Sequence, residues 1–252
     1  MKSLNKFIIF FMILLTKLVF AGTIDPSVSD DEYIKYGENF KYVGKLCGEY
    51  TDGSRFCASA VVIKKNIVLT AAHVVKGYKK SVITVNNKDY NIYKFIWPNE
   101  YDENIYGYND IAIGFLKQSI ELDFYPELYH KNDEVNKVCC ISGYGLTGNF
   151  STGAIKSDSK RRAGSNVIEE IEKQLLICRP SRSHDKQRTS LEFIIASGDS
   201  GGGLFIGDKL AGINSCITGI GKDASKSMYG TDSCHTRVSV HRDWILESIR
   251  EY

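Results

Sequence analysis

The sequence has almost no net charge. It carries 32 lysines and arginines against 30 aspartates and glutamates, a balance of +2 over 252 residues. Residues 1–21, which we predict to be removed, hold three lysines and no acidic residue, so the balance would become −1 (29 minus 30). A near-neutral chain has no basic field that would attract nucleic acid. We therefore expect no nucleic-acid partner.

The sequence also lacks an apolar run long enough to cross a membrane. Its best candidate, Phe7–Leu15, is far shorter than the roughly 20 residues of a spanning helix, and Lys17 interrupts its continuation. Two lysines precede the run, and Val19 and Ala21 fit the small-residue cleavage rule. This pattern predicts a signal peptide over 1–21, cleaved after Ala21, and a secreted (extracellular or periplasmic) mature chain without stable membrane insertion. An uncleaved N-terminal anchor is the alternative.

Metal-binding spacings are missing as well. The chain has seven cysteines and five histidines, but neither Cys-x-x-Cys nor His-x₃-His occurs. We expect no metal and no other cofactor. With a signal peptide, most of the cysteines should be paired. Cys47 and Cys57 flank a turn-like segment and could bridge a hairpin.

No internal repeat or low-complexity tract is visible, and short apolar runs alternate with turn residues. Many short strands of this kind indicate a sandwich or a barrel, and about 230 mature residues suit one all-β domain. Gly207-Asp208 predicts a hairpin, and residues 22–40, polar and acidic, are expected to wrap the surface. The predicted strands are Ala58–Ile63, Ile67–Ala71, Val82–Val85, Ile111–Leu116, Val138–Ser142, Leu191–Ile195, Leu204–Ile206 and Leu210–Ile213.

Two segments have helical spacing. Ser239 is predicted to cap a closing helix whose shared face holds Val240, Trp244, Ile245 and Ile249. Ile168, Ile171 and Leu175 also fall at helical spacing, but an extended conformation is the alternative. We expect residues 156–190 to form a long surface excursion.

Three residues offer the parts of a nucleophilic site. Ser200 lies in Gly198-Asp199-Ser200-Gly201-Gly202, His73 follows Thr70-Ala71-Ala72, and Asp110 precedes an apolar strand. A serine hydroxyl needs a base within hydrogen-bond reach, and the base needs a third group to orient it. The other candidates, with weaker flanks, are His130, His184, His235, His241, Asp102 and Asp123. Gly-x-Ser-x-Gly also suits an esterase of the α/β-hydrolase type, but there the acid and histidine follow the serine.

Five blocks in this order resemble the chymotrypsin/trypsin-like family of serine endopeptidases. They are Val68–His73, Asp110–Ala112, Ile141–Gly145, Gly198–Gly202 and Thr236–Val238, and the resemblance runs from about Cys57 to Trp244. It implies an all-β fold over 22–252, with two six-stranded antiparallel β-barrels (about 40–130 and 131–240) and a C-terminal helix (about 239–250).

The same resemblance implies roles for further residues. The N–H groups of Gly198 and Ser200 would form an oxyanion hole, and Ile194, Ser215 and Ile217 would contact the substrate. An apolar Ile194 at the pocket floor and a bulky Ile217 at its mouth favour small or medium apolar side chains before the scissile bond, although Asp232 near the pocket would favour a basic one. Cys216 and Cys234 would pair on adjacent strands, and Cys178 could meet Cys139 or Cys140.

The chain departs from the family where activation is concerned. No basic residue precedes a cleavable Ile-Val-Gly-Gly before Cys57, so either signal cleavage alone leaves an active enzyme or Asp199 finds another partner than a new amino group. We predict a monomeric secreted serine endopeptidase that acts on proteins or peptides and meets protein protease inhibitors. A catalytically silent, protease-like binding protein is the alternative.

Overall fold

A computed structural model describes residues 22–182, 184–219 and 226–252 of this chain. The predicted signal peptide lies outside these residues. Among them, no helix is long and apolar enough to pass through a membrane.

The first elements are a short strand and a helix, β1 (Thr23–Ile24) and α1 (Asp30–Gly37). α1 begins after Ser29, whose side chain accepts a hydrogen bond from the Asp31 amide, and three acidic residues occupy its first turn, where the helix dipole favours them. β1 is fully buried between residues 148–149 and 193–194. The expectation that residues 22–40 only wrap the surface is therefore wrong for β1, because its backbone pairs on both edges.

The next part of the chain closes into a six-stranded barrel. Its strands are β2 (Val43–Tyr50), β3 (Arg55–Lys64), β4 (Ile67–Thr70), β5 (Tyr78–Val85), β6 (Lys88–Ile96) and β7 (Ala112–Leu116). They pair in the order β2-β3-β4-β7-β6-β5, and a one-turn helix, α2 (Ala72–Val75), follows β4. Asn86 and Asn87, both at positive φ, turn β5 into β6 as asparagine does in tight hairpins. Cys47 and Cys57 face each other across β2 and β3 and form the predicted disulfide.

The rest of the chain forms two open sheets and a closing helix. The strands are β8 (Glu127–Leu128), β9 (Val138–Gly143), β10 (Thr147–Asn149), β11 (Gly153–Lys156), β12 (Arg162–Val167), β13 (Glu170–Glu172), β14 (Leu175–Cys178), β15 (Phe193–Ile194), β16 (Gly203–Ile206), β17 (Lys209–Gly219) and β18 (Thr231–Arg237), and the helix is α3 (Val238–Arg250).

The larger sheet has the order β12-β9-β16-β17-β18-β14-β13, with β8 beside β17, and the smaller one β11-β10-β1-β15. The fold is thus mostly β with a C-terminal helix, as predicted. The second barrel does not close within the described residues, because β10 and β15 pair with β1, and β11 pairs with β10, in a separate sheet. Gly207-Asp208 does turn β16 into β17.

Two details of the helix predictions need correction. Ser239 does not cap α3: Arg237 holds the cap position without a side-chain bond, and the Ser239 hydroxyl donates to Glu134 at 2.8 Å. Val240 is 47% exposed and does not share the buried face with Ile245. The ambiguous segment 168–175 is extended, since it contributes to β13 and β14.

The main core cluster joins the two parts of the molecule. Barrel residues such as Leu69 and Ile113 share it with Phe205, Leu210 and Ile213 of the larger sheet. The Phe205 ring packs between Phe40 and Tyr42, with ring centroids 5.5 and 5.2 Å apart. This packing fixes the barrel against the sheet, with His73 and Asp110 on the barrel side and Ser200 on the sheet side.

Candidate active site

His73 lies in α2, directly after the buried strand β4. Its side chain is 41% exposed, so one edge of the ring stays open to solvent. Its Nδ1 lies 2.8 Å from Asp110 Oδ2, and its Nε2 lies 3.0 Å from Ser200 Oγ. The desolvation around the ring would lower the pKa of His73, but the charge and the hydrogen bond of Asp110 raise it above its ordinary value.

Asp110 stands just before β7 and is buried. Its Oδ1 accepts the His73 amide at 2.9 Å, and its Oδ2 accepts the Ser215 hydroxyl at 2.5 Å. Burial alone would raise the pKa of Asp110, but the charge of His73 and the bonds from His73 and Ser215 hold it below its ordinary value. The carboxylate is thus ionised and fully paired, as a buried charge requires.

Ser200 follows a loop that places its hydroxyl between the barrel and the sheet. Besides His73 Nε2, the hydroxyl reaches the backbone oxygen of Ser215 at 3.4 Å. Gly201, at φ +81°, comes next, and a Cβ there would stand 2.0 Å from Thr70 Oγ1 and 2.2 Å from the Ser59 oxygen. Glycine is therefore required here so that the Ser200 loop can lie against the barrel.

Ser59 is a buried contact between the barrel and this loop that sequence reasoning missed. Its amide donates to the Ser200 oxygen at 2.9 Å, its hydroxyl donates to the Gly198 oxygen at 3.1 Å, and it accepts the Tyr144 amide at 2.9 Å. Ser59 therefore acts as a positioning residue for the loop. Its signal in the sequence is a single polar residue inside the apolar run Ala58–Ile63.

The amides of Gly198 and Ser200 are free to bind a ligand. Gly198 has φ +91°, and neither amide donates to an acceptor within the part of the chain that the structure describes. Their neighbours differ: the Asp199 amide donates to Ala196 and the Gly201 amide to Asn214. Two unpaired N–H groups beside a serine hydroxyl suit a developing negative oxygen.

Asp199 is fully buried beside Ser200. Its carboxylate accepts the amides of Gly145 and Ala196, each at 3.0 Å, and the backbone N–H of Gly22. Burial raises the pKa of Asp199 to about 7, although these N–H groups oppose the rise. The residue therefore stands directly against the first residue after the predicted cleavage point.

The three residues predicted to contact the substrate have different surroundings, and Ser215 is the one whose backbone oxygen contacts the Ser200 hydroxyl. Ile194 is fully buried. Its neighbours Phe193 and Ile195 pack into a second core cluster, within the larger and smaller sheets, and the Ile194 side chain faces away from that cluster. Ser215 is buried, and its hydroxyl is committed to Asp110. Ile217 is half-buried on β17, and its carbonyl accepts the Tyr106 hydroxyl, a contact that the sequence did not reveal.

Other sequence candidates are engaged elsewhere. His235 is buried between Asn214 and Ser233, and burial lowers its pKa to about 3. His241 contacts Asn109, while His130 and His184 are exposed. The Asp102 carboxylate caps a turn at Asn104, and Asp123 is exposed. Asp232 is bound by Arg179 at 2.8 and 3.1 Å, so its charge is already compensated.

The remaining cysteines are free thiols. Cys216 and Cys234 face each other across β17 and β18, as the resemblance implies, but they are not bonded, so the predicted disulfide is absent. Cys139 and Cys178 have their sulfurs 3.8 Å apart, and Cys140 contacts the Tyr36 hydroxyl at 3.0 Å.

Comparison with known proteins identifies the family of the chain. Residues 36–245 match the family described as Trypsin. The chain is 25% identical to serine protease SSP1 of the centipede Scolopendra subspinipes, over 88% of this chain and 85% of that protein. Among solved structures, a protein titled HL collagenase superposes with a TM-score of 0.66 at 18% identity, over 83% of this chain and 94% of its own. Mouse neuropsin superposes at 0.65 and 18%, over 84% and 96%. The family match covers most of the chain, and the protein therefore belongs to the trypsin/chymotrypsin-like family of serine proteases.

Proposed function

We propose that this chain is a secreted serine endopeptidase that cleaves proteins or peptides through an acyl-enzyme. The observation that carries the proposal is the continuous hydrogen-bonded line from Asp110 through His73 to Ser200, with distances of 2.8 and 3.0 Å. These three residue types in this geometry give a neutral hydroxyl the base that it needs.

The first half of the reaction acylates Ser200. His73 Nε2 takes the hydroxyl proton while Ser200 Oγ bonds to the substrate carbonyl carbon, and the negative oxygen that forms is bound by the amides of Gly198 and Ser200. His73 then gives the proton to the leaving amine as the C–N bond breaks. Each oxyanion donor contributes roughly 10²–10³-fold to kcat in such sites. Asp110, held by Ser215, keeps Nε2 unprotonated and stabilises the imidazolium.

The second half returns the enzyme to its starting state. Water takes the place of the amine, and His73 removes its proton as the water oxygen attacks the acyl carbon. The proton then passes to Ser200 Oγ, and the acid product leaves. The exposed edge of the His73 ring gives water and the leaving amine access to Nε2.

The pocket residues support a preference for small or medium apolar side chains before the scissile bond. Ile194 offers no negative charge, and the charge of Asp232 is compensated by Arg179. A lysine or arginine would lose its hydration in this pocket without gaining a partner. Ile217, on the strand beside Ser200, narrows the room for a large side chain.

Labelling with a fluorophosphonate probe tests the proposed nucleophile. Wild-type protein should be labelled and should cleave casein, whereas Ser200→Ala should do neither. Ser190→Ala, which changes an exposed serine, serves as the matched control and should behave as wild type. Persistent labelling of Ser200→Ala would contradict the assignment. A folded wild-type protein that neither labels nor cleaves would instead favour a protease-like binding protein.

A further inference from the structure

Cys216 and Cys234 occupy the strand pair beside the proposed nucleophile. They are direct partners across antiparallel β17 and β18, the same relation that Cys47 and Cys57 have across β2 and β3. The latter pair is bonded, whereas Cys216 and Cys234 are thiols that hydrogen-bond to each other. The register therefore already brings the two sulfurs together, and only the oxidation is missing.

Cys216 lies on β17 between Ser215 and Ile217, which are proposed to contact the substrate, and we call β17 the substrate strand. The Tyr106 hydroxyl donates to the carbonyl of Ile217 and accepts a hydrogen bond from the Cys216 thiol, so Tyr106 lies across β17. This part of β17 pairs with β18, and the Tyr106 hydroxyl occupies the backbone oxygen of Ile217. A substrate chain that extends along β17 must displace that hydroxyl.

We propose that Cys216 and Cys234 form a reversible thiol–disulfide site that sets how firmly Tyr106 covers the substrate strand. In the reduced form Tyr106 has two partners, the Cys216 sulfur and the Ile217 carbonyl. In the oxidised form the Cys216 sulfur is bonded to Cys234 and has no S–H left to donate to Tyr106. Tyr106 then opens more easily, and substrate binds more tightly.

The pKa and the exposure of the two thiols indicate which of them reacts first. The hydrogen bond from Cys234 lowers the pKa of Cys216, while the same contact and burial raise the pKa of Cys234. Cys216 is partly exposed, and Cys234 borders a cavity of about 130 Å³ between the loops at residues 105–108 and 172–175. Cys216 is therefore the thiol that reacts first. The charged groups that act on Cys216 are Asp110 and His73.

The step is a thiol–disulfide exchange with a low-molecular-weight disulfide, for which oxidised glutathione is the probe. The Cys216 thiolate attacks one glutathione sulfur, forms a mixed disulfide and releases one glutathione thiolate. The Cys234 thiolate then attacks the Cys216 sulfur and releases the second. The two cysteines lose two electrons and two protons, and one disulfide becomes two thiols.

Peptide mapping tests the bridge without relying on activity. The protein is equilibrated with oxidised or with reduced glutathione, free thiols are alkylated, and the peptides are identified by mass. We expect a Cys216–Cys234 bridge only in the oxidised sample, with Cys47–Cys57 bridged in both. Any Cys139–Cys178 bridge is scored on its own peptides. Full alkylation of Cys216 and Cys234 in both samples, or glutathione left on Cys216, would overturn the proposal.

The effect on Tyr106 rests on the proposed endopeptidase function and is measured by kinetics. Oxidation should lower KM for peptide substrates by about threefold to tenfold, the value of one lost hydrogen bond, with kcat unchanged. Tyr106→Phe should have the lower KM in both states, and Cys234→Ser, or Cys216→Ala if the former does not fold, should not respond to glutathione. A bridge that forms without changing KM would refute the control of Tyr106. A protein that cleaves nothing would refute the endopeptidase proposal and leave the mapping result standing.

Discussion

Asp110 shows how much of the site depends on a single buried carboxylate. Four hydrogen-bonding groups of three other residues surround it: the amide and ring of His73, the Ser215 hydroxyl and, at its backbone oxygen, the Thr236 hydroxyl at 2.9 Å. In the proposed mechanism the carboxylate does not touch the substrate but fixes the tautomer and orientation of His73. Replacing Asp110 should therefore leave the fold intact but deprive His73 of the tautomer and orientation that it needs to act as a base.

Replacement of Asp110 by asparagine is the residue-scale test of this role. Asp110→Asn keeps the size of the side chain but favours the wrong His73 tautomer, and we expect kcat to fall by about 10⁴-fold at neutral pH. Asp123→Asn, an exposed carboxylate of the same type, should change kcat less than twofold. A steady-state assay on a peptide ester measures both, and an Asp110→Asn enzyme with near wild-type kcat would exclude the positioning role.

Ile217 carries the residue-scale prediction on specificity. Ile217→Gly removes the side chain at the proposed pocket mouth but keeps the backbone carbonyl that Tyr106 contacts. The ratio of kcat/KM for phenylalanine to that for alanine before the scissile bond should rise by about 10–200-fold, the range for a single methylene contact in an apolar pocket. Profiling on a diverse peptide library measures this ratio. An unchanged profile would place the mouth of the pocket elsewhere.

At the scale of elements, the position of β1 brings the residue before it, Gly22, against Asp199. Gly22 lies where a Cβ would meet the Phe193 ring at 2.0 Å, and its N–H contacts the Asp199 carboxylate. Cleavage after Ala21 would turn this amide into an α-amino group, which is cationic below about pH 8. Signal cleavage alone would thus supply a counter-ion for Asp199. The chain would then need no separate activation sequence of the kind that the family usually has.

This arrangement predicts a pH-dependent difference between two forms of the chain. With Gly22 still an amide, the pKa of Asp199 is raised from 3.8 to about 7. The contribution of Asp199 to the free energy of unfolding is therefore fully present below pH 3.8 and is lost as the pH rises toward 7. A chain that begins at Gly22 should lose little over this range, because its amino group pairs with the ionised carboxylate.

Scanning calorimetry of the Ser200→Ala protein, which cannot digest itself under the proposed mechanism, measures the difference. The Tm of the form that keeps Ala21 should fall several degrees below that of the form starting at Gly22 between pH 5 and pH 7. Asp199→Asn in both forms is the control and should remove the gap. Equal Tm values for the two forms at pH 7 would contradict an ion pair at Gly22.

At the scale of the whole molecule, the site exists only where barrel and sheet meet. His73 and Asp110 lie beside barrel strands, Ser200 precedes β16, and Phe205 packs its ring against Phe40 and Tyr42 across the junction. Phe205→Ala should lower the free energy of unfolding by about 3–5 kcal/mol, because it leaves a cavity between the two parts. Activity should be lost at a correspondingly lower temperature.

Phe124→Ala is the matched control, since Phe124 also contacts Tyr42 but is 42% exposed. It should cost less than about 1 kcal/mol. Guanidinium unfolding followed by fluorescence, together with residual activity after heating, measures both variants. A Phe205→Ala protein as stable as wild type would show that this ring does not hold the barrel to the sheet.

The sequence by itself determined the strand-rich class, the Cys47–Cys57 hairpin and the candidates His73, Asp110 and Ser200. These features have local signals: alternating runs and turns, two cysteines around one turn, and a reactive residue beside a distinctive flank. Local signals also misled, since Ser239 has the side chain of a helix cap but its hydroxyl is bound to Glu134, and the 168–175 spacing suits a helix but is extended.

Only the tertiary structure decided the burial of β1, the open second sheet, the Arg179–Asp232 pair and the contacts of Ser59, Ser215 and Tyr106. Each of these depends on groups that lie far apart in the chain, such as Ser59 and Gly198, 139 residues apart, or Ser215 and Asp110, 105 apart. Such contacts follow from strand register and from the way two sheets pack. No pattern within a window of neighbouring residues encodes that geometry, which is why the sequence could propose candidate residues one by one but could not predict what surrounds them.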